Sequence, residues 1–585
     1  MASATNFNGT GGGWTLQDAW NNGASNITLT AGTLNTNGQT VTTTGTFSIS
    51  GTTTRTLTLG ASTITCNIWT SGTVSNLTFN ADTSSITVTN GGTSAFSGGG
   101  LTYNNMTFTG TTATNNSPQI TGANTFANLT RTNASGYTAL RIDANQTVTG
   151  TFTVTGNNAN TQRIIVRSDA TGTARTITAA AVSLTNVDFQ DITAAGAAAP
   201  FTGTSVGDAG GNTNITATTA TTRYWVGGTG NWFDPAEWSA TSGGAGGASV
   251  PLPQDDAVFD ANSFSAGSQT VTTDINVGRL AKNIDWTGVT NTPTWITNNP
   301  SSIFGSVTLV SGMTLNANSD LYTFEGRGSF TLTNAGKTWA KNINLNAPGG
   351  TMTLQDAFSS GNTRTLTIVK GTFDANNNDV TFGLVSANNS NTRTVTMGSG
   401  TWTLTGTGTV WDFATVTNLT LNANTSTIKI TDTSATARTF SGGGKTYNNF
   451  WSSAGASTAS LTIAGSNTFA DFKDDGSAAH SILFTAGTTQ TVTTWNVSGS
   501  SGNLITINST NTATHALTKA GGGTISSDFL NIQHSVATPA DTWYAGANST
   551  DNQAVATAGS GWIFTAPPSG AVAFKPQALG IMGVG

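Results

Sequence analysis

Two long stretches of this 585-residue chain repeat one another at a nearly fixed offset. GGGWTLQDA at Gly11 to Ala19 returns as GGTMTLQDA at Gly349 to Ala357, an offset of 338. TRTLTLG from Thr54 matches TRTVTMG from Thr392 at the same offset, and SNLTFNADTSSITVT from Ser75 matches TNLTLNANTSTIKIT from Thr417 at 342. FSGGGLTYNN from Phe96 matches FSGGGKTYNN from Phe440 at 344, and TGANTFANL from Thr121 matches AGSNTFADF from Ala464 at 343. Shared composition alone would not hold register in this way, so the expectation is duplicated structure. A feature kept in both copies then reads as scaffold, and one present in a single copy as optional to the fold.

Nearly every segment alternates Thr, Val, Ile or Phe with polar residues over a few positions and then breaks at Gly, Asn or Ser, as in TLTLGASTITC at 56 to 66. Period-2 alternation with such punctuation is the signal of short strands, and no amphipathic helix of ordinary length stands out. Strands this short and this regular are expected to stack as the coils of a parallel β-helix, each burying an apolar column against its neighbours. RTLTI from Arg364 and RTVTM from Arg393 begin similar strands, and the spacing between these two arginines is taken as one expected coil. The fold class expected is all-β: tandem parallel β-helices (a β-solenoid) related by the duplication, with a Trp-rich capping segment.

The expected boundaries are a first β-helix at 1–222, a Trp-rich cap or entry segment at 223–275 and a second β-helix at 276–565, of which 349–565 duplicates 11–222. An apolar tail follows at 566–585. Each copy closes on a related segment, FQDITAAGAAAPFTG from Phe189 and IQHSVATPADTWYAG from Ile532.

Charge narrows the function classes. Only 8% of residues are Asp, Glu, Lys or Arg, against about 25% in ordinary domains, and no Lys precedes Lys282. A net charge of −6 without a basic cluster argues against nucleic acid and anionic membranes as partners. No apolar run is long enough for a spanning helix, and the N-terminus has neither a basic nor an apolar leader region, so export by an ordinary signal peptide is not expected.

The pattern built from Trp225, Gly227, Gly228, Gly230, Trp232 and Trp238, followed by Val250-Pro251 and by Asp255, Asp256, Val258 and Phe259, resembles the opening of β-helical surface proteins. Such segments occur in phage virion fibres, spikes and decoration proteins and in bacterial autotransporter-type adhesin passengers. The closing ATPADTWYAGANSTDNQ and the GWIF at Gly561 to Phe564 look like the end of similar phage-encoded proteins. The resemblance is confined to these opening and closing segments, a small part of the chain, and implies a β-helical fold; it brings no catalytic residues with it. With no leader and no terminal barrel, the expected place is a virion assembled in the host cytoplasm. An extracellular or cell-surface location is the alternative.

No catalytic, cofactor or metal residue is assigned. Glycosidases need two carboxyls about 5 to 10 Å apart. Asp255 and Asp256 are strand neighbours that point to opposite faces, and Asp260 and Asp474-Asp475 read as turn or solvated acids. His480, His515 and His534 all fall in the second copy, His534 matching Asp191 of the first, so no shared histidine site is expected. DANNND at Asp374 to Asp379 begins like a calcium loop but lacks its Gly and its closing Glu. Cys66, alone, reads as a packed small side chain. Trp225, Trp232 and Trp238 are expected to plug a solenoid end, the alternative being stacking on glycan rings.

The tail residues Phe574, Leu579, Ile581 and Met582 are expected to anchor the chain on a capsid, portal or tail protein or within a homo-oligomer. The function expected is that of a non-enzymatic bacteriophage virion structural protein, a β-helical fibre, spike or capsid decoration with an adhesive surface facing host glycans. The rivals are a glycan-depolymerising tailspike and a bacterial surface adhesin.

Overall fold

A computed structural model of the protein describes residues 4–114, 118–133, 136–316, 320–553 and 559–568. They form an all-β parallel β-solenoid of about 24 turns. Among the described residues there is no α-helix, and the only helical turn is a 3-10 turn at Pro235–Glu237. The chain divides into two compact units, Met1–Thr331 with Asn346–Gly350, and Leu332–Leu345 with Thr351–Gly585.

In the first unit, parallel pairing puts like residues on top of one another at the ~4.8 Å strand spacing. Ile27 pairs with Phe47, Phe47 with Trp69, Trp69 with Phe96, Phe96 with Ile120 and Ile120 with Ile142. A second column runs Val41, Ile64, Ile86, Met106, Leu129, Phe152, Val182. Apart from the half-buried Val182, all of these side chains are buried, and the columns meet in one continuous core. Alternation is the cause: every second residue of each strand faces inward, so a one-residue slip would expose an entire column.

The second unit repeats the device with larger rings. Trp402, Ile428, Phe450, Phe472 and Trp495 form one column, and Trp411, Phe440, Ile463 and Phe484 another. The coil expected from Arg364 to Arg393 is not the one the chain winds. Arg393 pairs with Gly371 on one side and Leu419 on the other, and Arg364 is not its ladder neighbour. Arg364 lies inside the long strand Phe358–Asp374, where the pairing with Val380–Ser386 shifts register twice, so two similar RT strand starts fall out of step.

Residues at matching offsets make matching bonds. Arg55 is buried and fans its guanidinium onto the carbonyls of Ile49, Thr53, Thr73 and Ser75. Arg393 does the same to Ala387, Asn391, Thr415 and Thr417. Burial lowers the pKa of both, and what holds the charge in place is carbonyl dipoles rather than a carboxylate. Asn124 and Gln146 interlock across a coil as Asn467 and Gln490 do. Just before the two closing segments Asn186 and Phe529, and within them Asp191 and His534, all take left-handed backbone, uncommon for residues other than glycine.

Candidate functional site

The tryptophan motif folds into an internal cluster. Trp225, Trp232 and Trp238 have no exposed surface. Trp238 meets Trp225 edge-on at 5.2 Å and Trp232 at 4.9 Å, and Phe259 packs against all three. Phe259 in turn lies flat on Trp286 at 3.8 Å. Two indoles are tied to main chain, Trp225 Nε1 donating to Gly228 O at 3.1 Å and Trp238 Nε1 to Trp232 O at 2.7 Å. The glycines have a steric reason: a Cβ on Gly227 would lie 1.1 Å from Glu237 Oε2, and one on Gly230 2.3 Å from its Cδ. Asp234 caps the turn that carries Glu237 by accepting the Ala236 N–H at 2.9 Å. In this arrangement the three indoles present their faces to one another and to Phe259, not to solvent.

The acidic candidates are engaged in turns and in bonds between coils. Asp255 is buried and accepts N–H groups from Leu252 and Thr221, both at 2.8 Å; burial raises its pKa, and those bonds with the Arg223 charge oppose the rise. Asp256 accepts from Asn283 Nδ2, and Asp260 from Asn262 N. Asp374 accepts from Asn376 N and Asp379 from Thr401 N, so the DANNND acids fix a turn and the next coil. Among the described residues no group of three or more His, Cys, Asp or Glu side chains is placed to hold a metal ion. Cys66 is buried and its thiol is pushed up to about 12 by desolvation, so the nucleophilic thiolate is not formed near neutrality.

Sequence reasoning missed a buried charge cluster in the first unit. Asp188 has both oxygens engaged by Arg163, and Oδ2 also accepts Arg279 Nε at 2.6 Å, with all three side chains at most 2% exposed. Desolvation alone would raise the Asp188 pKa; the two guanidiniums win and lower it. Arg279 also lies 4.4 Å over the Tyr137 ring. Nearby, Arg327 pairs with Asp191 at 2.8 Å and Gln190 Nε2 reaches Glu325 at 2.5 Å. These partners come from widely separated parts of the sequence, so no local pattern announces them.

The two matching stretches differ in the size of their inward rings and also on the outside. In the first unit the outward ladder beside the second column reads Thr42, Thr65, Thr87, Thr107, Thr130, Thr153, Ser183. At the matching positions in the second unit it reads Thr381, Thr403, Lys429, Trp451, Lys473, Asn496. The Trp451 ring has Lys429 Nζ at 3.8 Å and Lys473 Nζ at 4.0 Å from its centre. Its Nε1 donates to Asp475 at 2.8 Å. Phe574, Leu579, Ile581 and Met582 lie outside the described residues. No known protein family, curated protein or solved structure matches this chain.

Proposed function

We propose that the chain is a non-enzymatic structural protein of a bacteriophage virion, a rigid fibre, spike or decoration whose side surface contacts glycans. The observation that carries this reading is the unbroken outward ladder of hydroxyls from Thr42 to Ser183, standing beside a packed column. Such a ladder offers donors and acceptors at strand spacing without long-range charge, which suits adhesion to neutral, hydroxylated partners. The matching offsets and repeated Arg fans support reading 349–565 as a second copy of 11–222, with the segment at 223–275 an aromatic junction in the first unit. The tail at 566–585 is assigned to docking on other virion proteins or on further copies of the chain.

Antibody to the chain, applied to intact particles and to host cells and followed by immunogold electron microscopy, tests the reading. Label on particles is expected. Label confined to cell surfaces would make the chain an adhesin, and release of oligosaccharides from host polysaccharide by the pure protein would make it a depolymerase.

A further inference from the structure

A cavity of about 640 Å³ opens in the first unit, within the ~300–1,000 Å³ typical of small-molecule sites. Its floor holds Tyr137 and Phe233, buried rings that meet edge to face at 5.5 Å. Tyr137 is fixed from two sides, its hydroxyl donating to Asn160 O at 2.9 Å and the Arg279 guanidinium lying over its ring.

The rim is polar in a particular way. Asn158 Oδ1 accepts the N–H groups of Asn160 and Thr161 at 2.8 and 3.2 Å, and Asn231 Oδ1 accepts that of Phe233 at 2.9 Å. Their loops therefore occupy the oxygens and leave each NH2 group available. Asp234 uses Oδ1 on its turn and keeps Oδ2. The side chains of Asn160 and Asp274, which also line the cavity, enter no hydrogen bond or ion pair among the described residues. Donors and acceptors thus converge around an aromatic floor, and among the described residues no Lys or Arg lines the cavity.

We propose that this cavity binds an uncharged sugar ring of a glycan. Hydroxyls both donate and accept, matching the mixed amide and carboxylate rim, while the C–H face of a pyranose suits the half-buried apolar surface of Pro235 and Ile275 in the same lining, held from beneath by the two rings. With no Lys or Arg among the described lining residues, the cavity offers an anionic ligand no partner charge. The Asp234 and Asp274 carboxylates are exposed, so screening leaves little attraction for a bare cation. The inference deepens the glycan-facing part of the proposed function and rests on it.

The test is binding of the full chain to an immobilised panel of gluco-, galacto-, manno- and N-acetylhexosamine oligosaccharides, beside sialylated and sulfated counterparts. Capture of an uncharged member is expected. It should weaken at least about tenfold in the double variant Asp274→Ala, Asn160→Ala and in the filling variant Asn160→Trp, with thermal midpoints unchanged. No capture of uncharged glycans, preference for the anionic set, or equal binding by the folded variants would each overturn the site. A chain that labels particles but fails this test loses the cavity alone. One that binds through the cavity but is absent from particles loses the virion reading alone.

Discussion

Trp411 donates its indole N–H to the phenol oxygen of Tyr447 at 3.1 Å, and the Tyr447 hydroxyl passes on to Gly442 O at 2.8 Å. Trp69, Tyr103 and Gly98 make the same relay at 3.2 and 2.9 Å. Both tyrosines are buried, so the ring fills the core while its polar tip satisfies two groups that water cannot reach. Tyr447→Phe keeps the ring and orphans the Trp411 N–H, while the Gly442 carbonyl retains only its bond from Lys445 N at 3.3 Å, at an expected cost of about 1–3 kcal/mol. Because a solenoid opens locally, the readout is amide hydrogen exchange in the strand Thr446–Ser452. In Tyr103→Phe the loss should be smaller, since Ser71 Oγ lies 2.8 Å from the same hydroxyl. Unchanged exchange in Tyr447→Phe would remove the relay from the list of stabilising contacts.

Arg393 should not tolerate lysine. Its guanidinium reaches four carbonyls in two loops, those of Ala387 and Asn391 and those of Thr415 and Thr417, a fan that a three-donor ammonium on a flexible stem cannot span. Arg393→Lys is expected to destabilise the surrounding coils by about 1–3 kcal/mol through the unmet carbonyls, that of Ala387 in a buried bond and the others in part-buried ones, and Arg55→Lys likewise. Urea denaturation followed by tryptophan fluorescence would show the shift, and parity with wild type would contradict it.

The Lys429, Trp451, Lys473 ladder should be nearly dispensable to folding. Each ammonium over the ring is worth about 0.5–1 kcal/mol where solvent reaches it, and the Lys473 and Asp475 side chains are 39% and 38% exposed. Replacing the three by threonine restores the ladder of the first unit, whose own coils stack without those charges. The triple variant is expected to lose at most about 2 kcal/mol by thermal denaturation. A collapse of the second unit would instead make the ladder part of the scaffold.

The alternation of residues such as those in Thr56 to Cys66 is enough to read the solenoid, because inward positions must recur every second residue whatever the partner strand. Coil length is less legible: the spacing of Arg364 and Arg393 misleads because register depends on bulges inside Phe358–Asp374, which leave no compositional mark. Arg55 and Arg393 sit in strands that read as polar surface; only the turns brought beside them reveal that carbonyls, not water, surround the guanidinium. The cavity is invisible in the sequence for a simpler reason. Ala113, Tyr137, Asn160, Asn231 and Asn276 come together only after many coils are wound, and Asn at a turn looks the same whether or not its amide faces a hollow.

Two histidines of the second unit predict opposite responses to pH. His515 is 1% exposed, its ring 4.7 Å from that of Phe484 with neither nitrogen hydrogen-bonded among the described residues, and burial pulls its pKa down to about 3. The folded chain therefore keeps it neutral while the unfolded chain protonates it near ~6.5. Its contribution is fully present above that value and is lost as pH falls toward 3, at about 1.4 kcal/mol per pH unit. His480 runs the other way. Burial, the largest single influence, would lower its pKa, but the 3.1 Å bond to Asp474 and that carboxylate's charge together raise it. Its Nδ1 also faces Ala478 O at 2.9 Å, so both nitrogens serve best as donors of an imidazolium. That contribution is full below the unfolded value and fades as pH rises through the raised one. Thermal midpoints from about pH 4 to 9 should then show a flatter acid limb in His515→Leu and a flatter alkaline limb in His480→Gln. An acid limb unchanged by His515→Leu would place the acid sensitivity of the fold elsewhere than in this buried ring.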